Sequence, residues 1–281
     1  MTRDAAGAFT WPDGATVAVS LTFDVDAEAG FLGEGDEYRQ RLTSLSEGHY
    51  GVRRGVPRIL RLLAEYALPA TFFVPGYTAE THRQLVPSLL ASGHEIGHHG
   101  YLHLRSDKVS AELQRDEIER GFSALREAGA DSVKGYRSTS WELTPETLDL
   151  LMTSDLLYDS SLMGDDRPYL IQRQDKTLIE IPVHWSLDDW PNFGWSIDNG
   201  GNVASTAGLL ESWLAEYANA RHEQRHVVFT MHPEVIGRGY RFAALEQFVR
   251  TLSADSGIWF ARLDQVAAHV QSTLSEPVEV G

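Results

Sequence analysis

Short runs of β-branched and apolar residues alternate along this chain with longer segments whose apolar positions recur at helical spacing. TVAVSLTFDV (16–25) has the near-continuous apolar character of a buried strand. VPRILRLLAEYAL (56–68) then places apolar residues at 56, 59, 60, 63 and 67, which is one face of a helix. PATFFVPG (69–76) predicts the next strand. The segment from Thr78 to Ser92 predicts a helix that Thr78 or Thr81 caps and Gly93 ends. GHEIGHH begins a third strand. Beyond it the spacing predicts helices at 110–128, from Thr144 with Pro145 in first position, at 208–221, at 241–253 and at 264–274. The strands between them fall around SVKGYRS, LIEIPV, HVVFTMH and WFARL.

Strand and helix in this order imply βαβ units and a parallel sheet, either closed as a barrel or open and doubly wound. No boundary between domains is visible, so residues 1–281 are expected to form one domain. Two stretches, 26–55 (rich in Gly and charge) and 184–207 (rich in Trp and Asn), exceed ordinary connections of about 4–6 residues and are expected to be functional loops. The tail STLSEPVEVG is polar and contains Pro277, so it is expected to fray, with 275–281 flexible.

Composition narrows the function. Hydrophobic residues make up 42% and charged residues 23% of the 281, the balance of a folded globular chain. No apolar run approaches the roughly 18–20 residues of a membrane span. The N-terminal MTRDAAGAFTWPDG lacks the apolar core of about 7–15 residues that a secretory signal needs, so a cytoplasmic location is expected. There is no cysteine, which removes disulfides, thiolate nucleophiles and Cys-type zinc sites and leaves His, Asp and Glu as metal ligands. A formal net charge of -16 repels phosphate backbones and anionic membranes, so neither nucleic acid nor membrane is expected as a partner.

Candidate chemistry gathers at predicted strand ends. Asp24 and Asp26 lie two apart at the end of the first strand, a period that puts both carboxylates on one face. GHEIGHHGYLH (93–103) holds four of the eleven histidines, and a spacing of four brings His99 and His103 to one side of a helix-like turn. Arg137 closes SVKGYR and His232 closes VVFTMH. In a parallel α/β sheet these ends share one rim, where active sites form. Blander roles compete: an aspartate after a strand is often only a turn or cap residue. His94 reads as a cap of the preceding helix, and His98 as a structural residue pointing to the opposite face. His49, His82, His222, His226 and His269 have no visible partner in sequence. Trp185, Trp190, Phe193 and Trp195 are either core aromatics or a substrate wall.

SLTFDVD and GHEIGHHGYLH resemble the TFDD-type first motif and the GHEIGxHxxxH second motif of the polysaccharide deacetylase superfamily, also called carbohydrate esterase family four or the NodB-homology domain. YRSTSW (136–141) is similar to the family's arginine motif, WSLDDW (185–190) more weakly to its Asp-Trp motif, and FTMH (229–232) to its last motif. The resemblance implies a distorted (β/α) barrel of about seven parallel strands. It also implies one divalent ion, Zn2+ or else Co2+, Ni2+ or Mn2+, held by Asp26, His99 and His103. Asp24 would be the general base, Arg137 the group that orients it, and His232 the general acid, with Trp141, Trp185 and Trp190 as substrate contacts.

Val25 separates two aspartates that are adjacent in many members, and Thr139 replaces a frequent proline. This spacing resembles a subgroup of peptidoglycan-deacetylase-like proteins, cyclic imide hydrolases and, more distantly, ureide-cleaving relatives, and it implies a homo-oligomer. The implied reaction is hydrolysis of a non-peptide C–N bond, as in N-deacetylation of an acetylated sugar or small amide. The alternative is ring opening of a cyclic imide or ureide in the cytoplasm. The partner is thus an oligosaccharide or a small molecule. Two His and one carboxylate also suit a non-haem iron oxygenase, and the fold could serve a non-catalytic carbohydrate-binding protein. The α/β alternation and the second carboxylate argue against the first, and the complete Asp, His, His, Arg, His set against the second.

Overall fold

The computed structural model describes residues 9–198, 200–274 and 276–280. Among them run strands β1 (Val17–Asp24), β2 (Thr71–Val74), β3 (Glu95–His98), β4 (Gly135–Tyr136), β5 (Tyr158–Asp159) and β6 (Tyr169–Arg173). They are followed by β7 (Lys176–Glu180), β8 (Trp195–Ser196), β9 (Gly200–Gly201), β10 (His226–Met231), β11 (Ile258–Phe260) and β12 (Val278–Glu279). Neighbouring strands follow the order β10-β1-β2-β3-β4-β5-β7, every pairing in that row being parallel. These seven strands make the distorted (β/α) barrel that the sequence resemblance implies. Further along the chain from β7, residues 188–189 lie against β10: Asp188 pairs with Thr230, and the Asp189 N–H reaches the Thr230 carbonyl at 3.2 Å.

The period of two along β1 sorts its side chains into two layers. Val17, Val19, Leu21 and Phe23 pack outward against the helices, in a core shared with Ile59, Leu63, Trp213 and Phe248. Ala18 faces the barrel interior with Phe73, Ile179 and Val228, and Ser20, Thr22 and Asp24 have its parity. All eight residues of β1 are buried because both faces are covered. β11 pairs with Val17–Val19 and β2 with Thr22–Asp24, so two strands share one edge of β1 and the barrel is irregular at its base.

Most predicted elements form. Ser110 caps the helix Ala111–Glu127, and Thr144 with Pro145 opens Pro145–Leu151. The expected helix over 78–92 is instead two, Gly76–Thr81 and Leu85–Ala91. Pro87 accounts for the break: without an N–H, and with a ring that clashes one turn back, it is tolerated only in the first turn of a new helix. Neither Thr78 nor Thr81 caps it; the Thr78 hydroxyl donates to the Asp26 carbonyl at 2.8 Å. Residues 26–55 are largely helical rather than irregular, with Glu28–Leu32, Leu42–Tyr50 and a π-helical turn, Gly51–Gly55, running into Val56–Glu65. Gly55 is required there, since a Cβ would lie 2.2 Å from the Pro233 carbonyl oxygen. The tail contributes β12, which pairs with Ile171–Gln172 of β6. Among the described residues no helix is long and apolar enough to cross a membrane.

Candidate active site

Asp24 and Asp26 reach the barrel mouth on the same side because Val25 between them turns outward into the helix-facing core. Asp24 is buried, and its Oδ1 accepts a hydrogen bond from Arg137 Nη1 at 2.7 Å. Arg137 is itself fully buried and fixed on all sides. Nη1 also donates to Thr22 Oγ1 at 3.0 Å, Nε to the Ser160 carbonyl and Nη2 to Ser160 Oγ, both at 3.1 Å, and the guanidinium lies over the Phe73 ring. A guanidinium with its donors occupied this way holds one carboxylate oxygen in place.

His99 donates from Nδ1 to the Arg137 carbonyl at 2.8 Å, which leaves Nε2 as an acceptor 3.4 Å from Asp26 Oδ1. His103 Nε2 stands 3.4 Å from Asp26 Oδ2. Burial pushes His103 down to about 4, so it is a neutral imidazole with a free lone pair near neutrality. Burial pushes the Asp26 carboxyl up, but His103 and His99 more than reverse that and hold it well below the usual range. Asp26 Oδ1 is buried without a hydrogen-bond partner, and one ligand atom from each of the three residues lies within 4.8 Å of the others. Acceptors converging on an unfilled buried oxygen fit a divalent cation.

The spacing of four in GHHGYLH works through a loop, not the helix-like turn expected. Gly100 and His103 both have left-handed backbones, φ +70° and +62°, and the two imidazole centroids lie 5.1 Å apart. Glu117 clamps this loop, its carboxylate accepting the N–H groups of Tyr101 and Leu102 at 3.0 Å and of Leu104 at 3.3 Å. Gly33 lets the 28–34 segment rest on it, because a Cβ there would lie 2.4 Å from the His103 carbonyl oxygen. His98 is structural as expected, donating from Nε2 to the Ile118 carbonyl at 2.9 Å and accepting the Gly100 N–H at Nδ1. His94 does not cap the preceding helix; it is buried against Phe72 with Nδ1 unpartnered.

His232 follows β10 and turns into the same cavity, with Nε2 3.8 Å from Asp26 Oδ2. Nδ1 faces Asp189 Oδ1 at 2.8 Å and Asp188 Oδ1 at 3.5 Å. Burial opposes its charge, but Asp188 and Asp189 outweigh burial and raise His232 well above its ordinary value. Asp189 was no candidate on sequence grounds, although the signal lay in the weaker motif, WSLDDW. Glu117 carried no sequence signal.

A cavity of about 330 Å³ opens above these groups. Trp141, Trp185, Trp190 and Trp195 line it, whereas Phe193 is buried in the core, so the open choice between wall and core divides within one loop. Trp141 and Trp185 stack with centroids 4.2 Å apart. Ser140 and Trp141 both take left-handed φ, 51° and 54°, a strained pair that aims YRSTSW at the cavity. The remaining histidines lie elsewhere: His82 and His49 flank Glu28 at 2.7 and 3.9 Å, His184 meets Ser186 at 2.8 Å, His226 meets Ser20 at 2.8 Å, His269 reaches the Thr10 carbonyl at 2.7 Å, and His222 sits in the last turn of the helix Thr206–Glu223.

The polysaccharide deacetylase family pattern matches residues 16–154. A solved structure from Mycobacterium smegmatis, of a protein classed as a polysaccharide deacetylase, is 39% identical, with a TM-score of 0.93 and coverage of 98% of each chain. The chain belongs to the polysaccharide deacetylase family. The peptidoglycan deacetylase of Helicobacter pylori is 28% identical over 280 residues, 89% of this chain and 95% of that protein. An allantoinase structure, 23% identical with a TM-score of 0.83, covers 94% of this chain and 93% of its own, and shows that the same fold extends to it. Carbohydrate esterases of this polysaccharide deacetylase family are metal-dependent, and this member carries an Asp26, His99, His103 group able to hold an ion, the first two buried and His103 partly so.

Proposed function

We propose that this chain is a metal-dependent N-deacetylase of acetylated amino sugars or small acetamides, with all its chemistry in one catalytic domain whose motifs span about residues 16–264. The observation that carries the proposal is that two separately fixed groups, Asp24 and His232, line one cavity with Asp26, His99 and His103. Deacetylase relatives along nearly the full chain support it.

Asp26, His99 and His103 would hold the ion, with Zn2+ suiting two imidazoles and a carboxylate and Co2+, Ni2+ or Mn2+ also admissible. Bound there, a divalent ion supplies Lewis-acid activation of water and of the amide carbonyl. Arg137 occupies Asp24 Oδ1, leaving Oδ2 to accept the proton of the attacking water. Asp189 and Asp188 keep His232 protonated, with Nε2 directed at the cavity to protonate the departing nitrogen. The C–N bond breaks, water oxygen stays on the acyl carbon, and acetate and an amine leave. Trp141, Trp185 and Trp190 would seat the substrate.

A second reading, ring opening of a cyclic imide or ureide, is favoured by the modest cavity of about 330 Å³ under the Trp-lined segment. Metal-loaded protein assayed on acetylated chitooligosaccharides and on succinimide or dihydrouracil separates the two. Acetate release from the first supports the deacetylase; ring opening alone overturns it.

A further inference from the structure

The charges around the cavity define a preference that the catalytic groups do not explain. Among the described residues lining it there is no lysine or arginine, while Asp24, Asp26, Asp188 and Glu34 all present carboxylates. Three of the four have assigned partners: Asp24 has Arg137, Asp26 has its imidazoles, and Asp188 accepts the Trp190 N–H at 2.7 Å beside His232. The Glu34 backbone N–H donates to the Phe31 carbonyl at 3.1 Å, but its carboxylate makes no hydrogen bond or ion pair with any described residue. It is exposed at the mouth, carried there by the 28–34 segment that Gly33 seats on the His103 carbonyl.

Tryptophans complete this mouth. Trp185, Trp190 and Trp195 leave 40%, 39% and 57% of their surface in solvent, unusual for the largest apolar side chain, and all three line the same opening. Exposed indole faces bind sugars, and they also attract cations through the ring quadrupole. The net charge of -16 adds a long-range field of the same sign as Glu34.

We propose that Glu34 and the Trp185, Trp190 and Trp195 rim form a subsite for an ammonium group, so that the enzyme favours acetamides joined to a positively charged unit and disfavours those bearing a carboxylate. The inference rests on the deacetylase reading for its substrate class: next to the scissile acetamide lies an amino sugar already freed of its acetyl group. An N-acyl amino acid or a lactyl-substituted sugar meets no lysine or arginine among the described lining residues to receive its carboxylate at the rim.

The test is binding rather than turnover, so it stays readable if no acetamide is hydrolysed. Chitobiose with free amines, cellobiose and digalacturonic acid have similar size, lack acetamides, and carry ammonium, no charge and carboxylate respectively. They are titrated into the metal-loaded protein at about pH 6, following tryptophan fluorescence. An exposed charge pair with cation–π support gives chitobiose roughly a 3- to 10-fold tighter Kd than cellobiose in low salt, and that ratio falls toward one at about 0.5 M NaCl. Glu34→Gln collapses the ratio, and Glu34→Lys inverts the order of chitobiose and digalacturonic acid. Equal binding of chitobiose and cellobiose, or a preference that survives both salt and Glu34→Gln, overturns the subsite. Failure of the deacetylase reading shows separately, as absence of acetate release from chitooligosaccharides.

Discussion

Asp189 Oδ1 stands 2.8 Å from His232 Nδ1, and both Asp189 oxygens also accept the His232 backbone N–H at 3.1 Å. One carboxylate therefore sets the ring, its backbone and its proton together. Asp189→Asn keeps the volume but removes the charge that holds the imidazolium. By analogy with triads that lose the orienting carboxylate, kcat is expected to fall by about 10²–10⁴ with KM little changed. Steady-state kinetics on an acetylated chitooligosaccharide check this; a kcat within threefold of the parent would sink the assignment.

The Asp24–Arg137 pair has the opposite division of labour, one member chemical and the other positional. Asp24→Asn is expected to abolish turnover while leaving bound metal intact, because Asp24 is not among the three convergent ligands. Arg137→Met leaves a buried carboxylate without its partner and should destabilise the fold by about 3–5 kcal/mol. Metal analysis and thermal denaturation of the two variants distinguish the roles.

Removing a ligand should empty the site. His103→Ala or Asp26→Ala is expected to lose the ion on dialysis, and activity should follow metal content when zinc is returned to the chelated parent protein. Full retention of metal by either variant would displace that residue from the ligand set.

Trp185 is stacked on Trp141 and 40% exposed, so its truncation should weaken substrate binding more than chemistry. Trp185→Ala is expected to raise KM several-fold with a smaller change in kcat. The reverse pattern would mean that the ring orders the catalytic groups.

Acid stability has a source remote from the site. Burial, with Arg225 nearby, pushes His226 down to about 3, and its ring meets Ser20 Oγ at 2.8 Å. Its folded value lies below its unfolded one, so the neutral ring contributes stability that is fully present above about pH 6.5 and is lost as pH falls toward 3. Melting temperature measured from pH 7 to 4 should fall more steeply for the parent protein than for His226→Gln, which keeps a donor for Ser20. Parallel curves would assign the acid lability to other groups.

By itself, the sequence determined whatever depends on local periodicity and on short motifs. The continuous burial of β1, Ser110 and Pro145 at helix starts, and Gly93 at a helix end follow from neighbours a few residues apart. The same locality exposed Asp24, Asp26, His99, His103, Arg137 and His232, which all sit at or just past strand ends. Tertiary structure decided what depends on distant chain segments meeting. Strands β5 and β6 are short or half-exposed and persist only through their neighbours in the sheet. Asp189 reaches His232 across 43 residues because its segment pairs with Thr230 of β10, and Glu117 clamps the histidine loop from a helix face that looks ordinary in sequence. A hydrogen bond carries no periodicity, so its partner becomes visible only once the barrel has brought the two backbones together.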